Sequence, residues 1–245
     1  MNLLERRSIR KYKKQEISQE LLDYILKCGI RSSNCGTMQL YSIIVTREEE
    51  GKKRLTPLHF NQPMVMDCSV VLTVCLDINR FHHWCRINNA EESLRNFLFH
   101  NIASIDATIC TQAMATAAEE KGLGICYLGT VNYNAKGIAE VLNLPKGVIP
   151  VTTLTIGYPD EMPELTERLP MEALVHYEKY NDYSDEDIKR LYSDIEANPK
   201  NQAFVKENNL ENLAQVFSQV RYNKKDAEYF SQMYKEYMKE TFCEI

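Results

Sequence analysis

The sequence predicts an α+β fold, with a central mixed or antiparallel sheet flanked by helices, a long buried helix and a C-terminal helical arm. Short β-branched, apolar segments alternate with helical patterns, which favours one layered α/β core. Residues 92–121 carry a helical pattern that is apolar nearly all round. From about residue 159 the chain becomes polar for its length, which indicates an appended helical segment.

The first half of the chain predicts one helix and two strands. After a short basic arm, Ser18 is placed to cap a helix. The apolar residues of this helix share one face: Leu21, Leu22, Ile25 and Leu26. Residues 41–46 are rich in β-branched side chains and predict a strand. Residues 68–76 are apolar throughout, which is typical of a strand buried on both faces of a sheet.

The long helical pattern forms the centre of the chain. Its apolar positions point in all directions: Phe97, Ile105, Ile109, Met114 and Ala117. A helix of this kind is buried in a core or in an oligomer interface. Gly122 and Gly124 are expected to end this helix at its C-terminus. A strand at 125–128, a helix at 135–142 and a strand at 151–156 are expected to follow.

The remaining segment begins with a Pro-rich stretch at 159–170. Ser184 is placed to cap a helix that runs to about residue 195, and an amphipathic helix is expected at 224–242. We therefore expect a domain over residues 1–178. Residues 179–245 are expected to be a helical extension that packs on this domain or on a partner subunit.

Composition excludes several classes of protein. Hydrophobic residues make up 44% and charged residues 26%, an ordinary globular balance, and the net charge of −5 argues against nucleic-acid binding. Apolar stretches such as 69–76 are too short to span a membrane, so a cytoplasmic location is expected. The eight cysteines contain no CxxC pair, and the segment 82–85 (HHWC) has no second group at zinc spacing, so no metal is expected.

Four segments are candidates for a binding site. The run 6–10 (RRSIR) can bind a phosphate, although a solvated basic terminus or an arm for nucleic acid or membrane is an equally simple interpretation. The loop 32–39 offers small polar groups to a ligand, or is a generic connection. The segment 122–130 lacks both GxGxxG and a Walker lysine, so a Rossmann or P-loop site is not expected. Arg168 follows the last strand as a second phosphate ligand.

These segments recur in the order of a known family. RSIRKY opens the chain, Gln39 and Asn61-Gln62 each precede a strand, and the long helix carries Asp106-Ala107 and Gln112. GLGxxYLG and Arg-Leu-Pro follow. The whole resembles the nitroreductase superfamily, in particular its NADPH-preferring major (oxygen-insensitive) nitroreductase and FMN reductase branch. The similarity runs from about residue 3 to 178, and more loosely to the end.

The resemblance implies a homodimer that binds FMN. Electrons would pass from NADPH or NADH to quinones, nitroaromatics or flavins by a ping-pong mechanism. The flavin would carry the chemistry, so no catalytic side chain is expected. The alternatives are another redox reaction on the same fold (free flavin reduction, dehalogenation or dehydrogenation), a flavin-binding protein without turnover, and a nucleic-acid-binding protein that uses the basic arm.

The resemblance also assigns residues. Those implied at the FMN phosphate and ribityl chain are Arg6, Arg7, Ser8 and Arg10, completed by Arg168. Those implied to line the cofactor from the partner subunit are Ser33, Asn34, Cys35 and Gln39. Those implied beside the ring are Gln62, at its polar edge, and Tyr127, Leu128, Gly129 and Thr130, with backbone amides near N5 and O4. Those implied at the 2′-phosphate of NADPH are Arg221 and Lys224.

Three positions depart from the family's pattern. Thr166 stands where relatives have a second basic residue, which could weaken phosphate binding. Thr130 replaces a glycine; it adds bulk but keeps its N–H available. Asn34-Cys35-Gly36 replaces a serine-rich loop, so the side-chain contacts made there can differ.

Overall fold

A central antiparallel sheet organises the computed structural model, which describes residues 3–242. Its strands are β1 (Tyr41–Thr46), β2 (Val70–Asp77), β3 (Gly124–Leu128) and β4 (Val148–Gly157). Their order across the sheet is β1-β2-β4-β3, and every neighbouring pair is antiparallel. The strand predictions are confirmed with small shifts in the ends: β2 begins two residues later than expected and β4 three residues earlier.

Both faces of the sheet are covered. All eight residues of β2 are buried, as its continuous apolar sequence predicts. On one face, Leu72, Val74 and Leu154 pack with Met114 of the long helix. On the other face, Val71, Cys126 and Leu128 belong to a separate apolar cluster. β1 and β3 form the two edges.

The long helix α5 spans Phe97–Glu120, and the prediction that it begins at residue 92 is wrong. Asn96 is its N-cap, and the Asn96 side chain accepts a hydrogen bond from the Phe99 N–H at 3.1 Å. Residues 92–96 therefore precede the helix. Its buried face includes Ala103, Ala107 and Met114, which explains why the helix can lie close against the sheet.

Shorter helices complete the covering layers. α1 (Gln19–Ile30) is capped by Ser18, whose hydroxyl accepts from the Leu21 N–H at 3.2 Å, as predicted. Three further helices of these layers were not predicted, α2 (Glu49–Leu55), α3 (Met64–Asp67) and α4 (Asn79–Ile87), and neither were the helices at Pro199–Glu207 and Leu213–Gln215. α6 (Ala135–Val141) lies where the sequence places it.

The chain divides into two compact units, residues 3–164 with 231–242, and Leu165–Phe230. The second unit contains α7 (Asp185–Ala197), α8 (Pro199–Glu207) and α9 (Leu213–Gln215), followed by a π-helical turn at Val216–Arg221. Its small core comprises Val205, Leu213 and Val216. α10 (Lys224–Thr241) begins in the second unit and ends in the first. The boundary expected at residue 178 thus falls inside the second unit. Within residues 3–242 no helix has the length and apolar character needed to cross a membrane.

Candidate functional site

The basic arm lies along the free edge of β3. The Ile9 N–H donates to the Ile125 carbonyl at 2.9 Å, and Ser8 forms a parallel bridge with Ile125. A Cβ at Gly124 would lie 2.7 Å from Ile9, so only glycine lets the arm approach this closely. The arm is therefore part of the folded sheet region and not a solvated terminus.

Two guanidinium groups of the arm carry unsatisfied donors. Arg6 Nε lies 3.4 Å from Glu119 Oε1, while Arg6 Nη2 and Arg7 Nε are buried and, among the described residues, have no hydrogen-bond partner. A buried charged donor without a partner is costly in free energy. These two atoms are therefore available to bind a ligand.

The backbone of the arm also presents N–H donors, two of which bind an acidic side chain. The N–H groups of Arg10 and Lys11 both donate to Glu161 Oε1, at 2.6 and 3.1 Å. The side chains of Arg10 and Lys11 are exposed. Glu161 was not identified from the sequence, because it lies about 150 residues away along the chain.

The arm and the end of β3 form one electrostatic environment. Burial raises the pKa of Tyr127 to about 12, an effect that the nearby Arg6 guanidinium opposes. Burial likewise raises the pKa of Cys126, opposed by Arg10 and Arg6. The structure thus brings Arg6 and Arg10 together with the predicted segment Tyr127–Thr130.

A second pair of loops meets at Thr130. The turn Thr56–His59 faces the turn Gly129–Asn132, and His59 Nδ1 lies 2.8 Å from Thr130 Oγ1. Asn134 Nδ2 donates to the Leu58 carbonyl at 2.8 Å, and the rings of Phe60 and Tyr133 meet edge-on at 5.9 Å. We call these contacts the loop clasp.

The loop clasp holds Gln62 near the end of β3. Gln62 is half-buried, and its N–H donates to the His59 carbonyl at 3.2 Å. Phe60 and Asn61, just before it, both adopt left-handed backbone conformations with φ near 54°. Non-glycine residues adopt this conformation at a cost that surrounding contacts must offset, as is common at binding sites. Neither His59 nor the clasp was predicted.

His59 gives the first testable prediction. Burial lowers its pKa from 6.5 to about 4, so the folded chain holds this imidazole neutral. The unfolded chain takes up the proton first, so the free energy of unfolding is expected to fall as the pH falls from 6.5 towards about 4. The contribution is on the order of 3 kcal/mol.

Urea unfolding at a series of pH values measures this contribution. His59→Gln should flatten the profile between pH 6.5 and 4 relative to the parent. His83→Gln removes an exposed histidine and should keep the parental slope. Equal slopes for the parent and His59→Gln would contradict the assignment.

The predicted loop 33–39 is shaped by a buried carboxylate. The Cys35 N–H donates to the Asp106 carboxylate at 3.0 Å, and the Gln39 N–H donates to Asn34 Oδ1 at 3.1 Å. Burial raises the pKa of Asp106, while the N–H groups of Cys35 and Leu40 oppose the rise. Ser33 is exposed, and Asn34, Cys35 and Gln39 are half-buried. The role of Asp106 was not identified from the sequence.

The basic arm and the loop 33–39 lie at opposite edges of the sheet. The loop 33–39 leads into β1, whereas the arm lies along β3. Three strand spacings separate the two edges, a distance of about 14 Å. Within the chain, the structure therefore groups the arm with β3 and keeps the loop 33–39 apart from them.

The remaining predicted residues belong to the second unit. Arg168 is exposed, and its Nη1 donates to Thr166 Oγ1 at 2.6 Å, so the residue that departs from the family's pattern contacts the predicted phosphate ligand. The Arg221 guanidinium lies over the rings of Phe204 and Phe217, at 4.6 and 5.1 Å. Lys224 Nζ lies 3.7 Å from Glu228.

Comparison with known proteins gives consistent matches. The profile of the nitroreductase family matches residues 3–158. The FMN reductase (NADPH) of Bacillus subtilis is 33% identical over 186 residues, 75% of each chain. A crystal structure of an oxidoreductase from Bacteroides fragilis superposes with a TM-score of 0.96 at 46% identity, covering 98% of this chain and 97% of that one. The structure of a nitroreductase from Bacillus subtilis superposes with a TM-score of 0.85 at 28% identity, covering 96% of each chain.

Proposed function

Because the chain belongs to the nitroreductase family, we propose that it is an FMN-dependent oxidoreductase that uses NADPH or NADH to reduce flavins, quinones or nitroaromatic compounds. The buried donors Arg6 Nη2 and Arg7 Nε carry this proposal, because they have no partner among residues 3–242 and fit the phosphate of FMN. The names of the relatives, an FMN reductase (NADPH) and a nitroreductase, support the same chemistry.

FMN would supply a ring that accepts two electrons from the nicotinamide and returns them to the acceptor. The residues proposed to bind its phosphate and ribityl chain are Arg6, Arg7, Ser8 and Arg10. The residues proposed at the ring are Gln62, Tyr127, Leu128, Gly129 and Thr130. The chain's own contribution is to bind and orient these groups, and no catalytic side chain is proposed.

We also propose that the protein acts as a homodimer. α5 exposes large apolar side chains on one side, among them Phe97, Ile105 and Ile109, with Ile105 57% exposed. An exposed apolar stripe on a central helix is typical of a subunit interface. A second copy would also supply Ser33, Asn34, Cys35 and Gln39, which lie at the opposite sheet edge from the arm.

A cytoplasmic location and small-molecule acceptors complete the proposal. The cysteines of the described part of the chain are all free, and several are buried, as suits a reducing compartment. The net charge of −5 offers little attraction to nucleic acid or to an anionic membrane.

The absorption spectrum of the purified protein tests the cofactor. A yellow protein that absorbs at about 450 nm is expected, as is usual for an oxidised flavin. Anaerobic NADPH should bleach this band, and menadione, nitrofurazone or free FMN should restore it. A colourless protein that does not bind added FMN would refute the proposal. If FMN is bound but neither NADPH nor NADH reduces it, the protein binds flavin without turnover and the proposed reaction is wrong.

The second unit gives a prediction about nicotinamide preference. The guanidinium of Arg221 is supported by two aromatic rings, and Lys224 is exposed beside it in the chain. We expect both cations to bind the 2′-phosphate of NADPH, which NADH lacks. Arg221→Ala/Lys224→Ala should raise KM for NADPH by roughly 5- to 30-fold and leave KM for NADH nearly unchanged.

A matched control accompanies this measurement. Lys225→Ala removes an adjacent exposed cation and should change neither KM. Equal losses with both nicotinamides, or no loss with either, would mean that Arg221 and Lys224 do not recognise the 2′-phosphate.

A further inference from the structure

His59 is a fully buried side chain with only half of its hydrogen-bonding capacity used. Its Nδ1 lies 2.8 Å from Thr130 Oγ1. Its Nε2 is buried and has no partner among residues 3–242. Because only one of the two ring nitrogens has a partner, we can assign which nitrogen of His59 carries the proton, and hence the role of the Thr130 hydroxyl.

A neutral imidazole carries one N–H. If Nε2 carried the proton, a buried N–H would be left unsatisfied, which is rarer in proteins than an unsatisfied acceptor. The favoured tautomer therefore carries the proton on Nδ1 and donates it to Thr130 Oγ1. Burial, which lowers the pKa of His59 to about 4, keeps the ring neutral and in this role.

This tautomer determines what Thr130 can do. Since Oγ1 accepts from His59, the hydroxyl proton of Thr130 is free to donate elsewhere. The structure shows no acceptor for that proton within the described part of the chain. Thr130 is half-buried in the first turn after β3, so its hydroxyl is a fixed, unused donor at the proposed ring site.

We propose that His59 is a positioning residue that holds the Thr130 hydroxyl as a hydrogen-bond donor to the polar edge of the FMN ring. This inference rests on the proposed function. The hydroxyl supplements the backbone amides of the same turn. The Asn134–Leu58 and Phe60–Tyr133 contacts of the loop clasp hold both turns in place, so the donor is preorganised before the cofactor binds.

Four variants test the pair. Thr130→Val removes the hydroxyl at constant shape and should weaken FMN binding about tenfold, the effect of one hydrogen bond. Thr130→Ser should retain the parental affinity. His59→Leu removes the positioning bond and should weaken binding to a similar extent. The double variant His59→Leu/Thr130→Val should lose no more than Thr130→Val alone, because both changes remove one interaction.

The midpoint potential of bound FMN separates positioning from general stability. A donor to the ring favours the electron-rich reduced cofactor, so Thr130→Val and His59→Leu should lower the potential. A tenfold change in the ratio of affinities for reduced and oxidised FMN corresponds to about 30 mV. The control is Ser18→Ala, which removes the N-cap hydrogen bond of α1, outside the loop clasp. It should lower the melting temperature without moving the potential.

The outcomes are distinct. Parental FMN affinity and potential in Thr130→Val, or additive losses in the double variant, would overturn the inference while leaving the proposed function intact. A parent that binds no FMN would refute the proposed function itself. In that case, the pair can still be checked by a double-mutant cycle on the melting temperature of the apoprotein, where complete additivity would show that the two residues are not coupled.

Discussion

Arg10→Ala is expected to release most of the FMN from the purified protein while leaving the chain folded. Arg10 lies beside the end of β3, where its charge affects Cys126, and its side chain is exposed, so its loss opens no cavity. A charge-assisted hydrogen bond contributes about 1.5–3 kcal/mol, and the loss of one bond corresponds to a roughly 10- to 150-fold weaker affinity. Fluorescence titration of the apoprotein with FMN measures the change.

The neighbouring residue supplies the control for Arg10. Lys11 is also an exposed cation, and its N–H donates to the same Glu161 oxygen. Lys11→Ala changes the net charge of the arm equally, so a general electrostatic effect would weaken FMN binding in both variants. Full retention of FMN by Arg10→Ala after extensive dialysis would show that this guanidinium does not bind the phosphate.

The sheet could be predicted because its signal is local. Each strand is a short β-branched or continuously apolar run, and burial on both faces leaves little polar interruption. The missed helices lack such a signal. α2 and α4 follow Glu48 and Ile78, neither of which makes a side-chain cap hydrogen bond. At α5, the apolar pattern places the start of the helix at residue 92, and only the structure shows that Asn96 caps it.

The basic arm and the residues after β3 could be identified because their motifs are contiguous. The residues that position them could not, because each acts through a contact far along the chain. His59 reaches Thr130, and Asp106 reaches Cys35, both across 71 residues, while Glu161 reaches Arg10 across 151. A buried histidine or carboxylate has no local pattern that distinguishes it from a surface one. The fold alone brings these partners together.

The separation of the basic arm from the loop 33–39 leads to the prediction with the largest expected effect, which concerns the variant Ile105→Asp. Ile105 is 57% exposed at the centre of α5, and a carboxylate there would have to be buried without a partner in a dimer. Obligate interfaces bury on the order of 2,000–5,000 Å², and an unpaired charge at the centre of one is expected to produce monomers. The loop 33–39 would then no longer be supplied by a second copy, so FMN should be lost together with the dimer. Light scattering at micromolar concentration and the flavin absorbance of the same sample measure both effects.

Ile87→Asp, which makes the same substitution at an exposed isoleucine of α4, should keep both dimer and flavin. A parent that is monomeric and still holds FMN, or an Ile105→Asp variant that stays dimeric, would contradict this arrangement of the subunits.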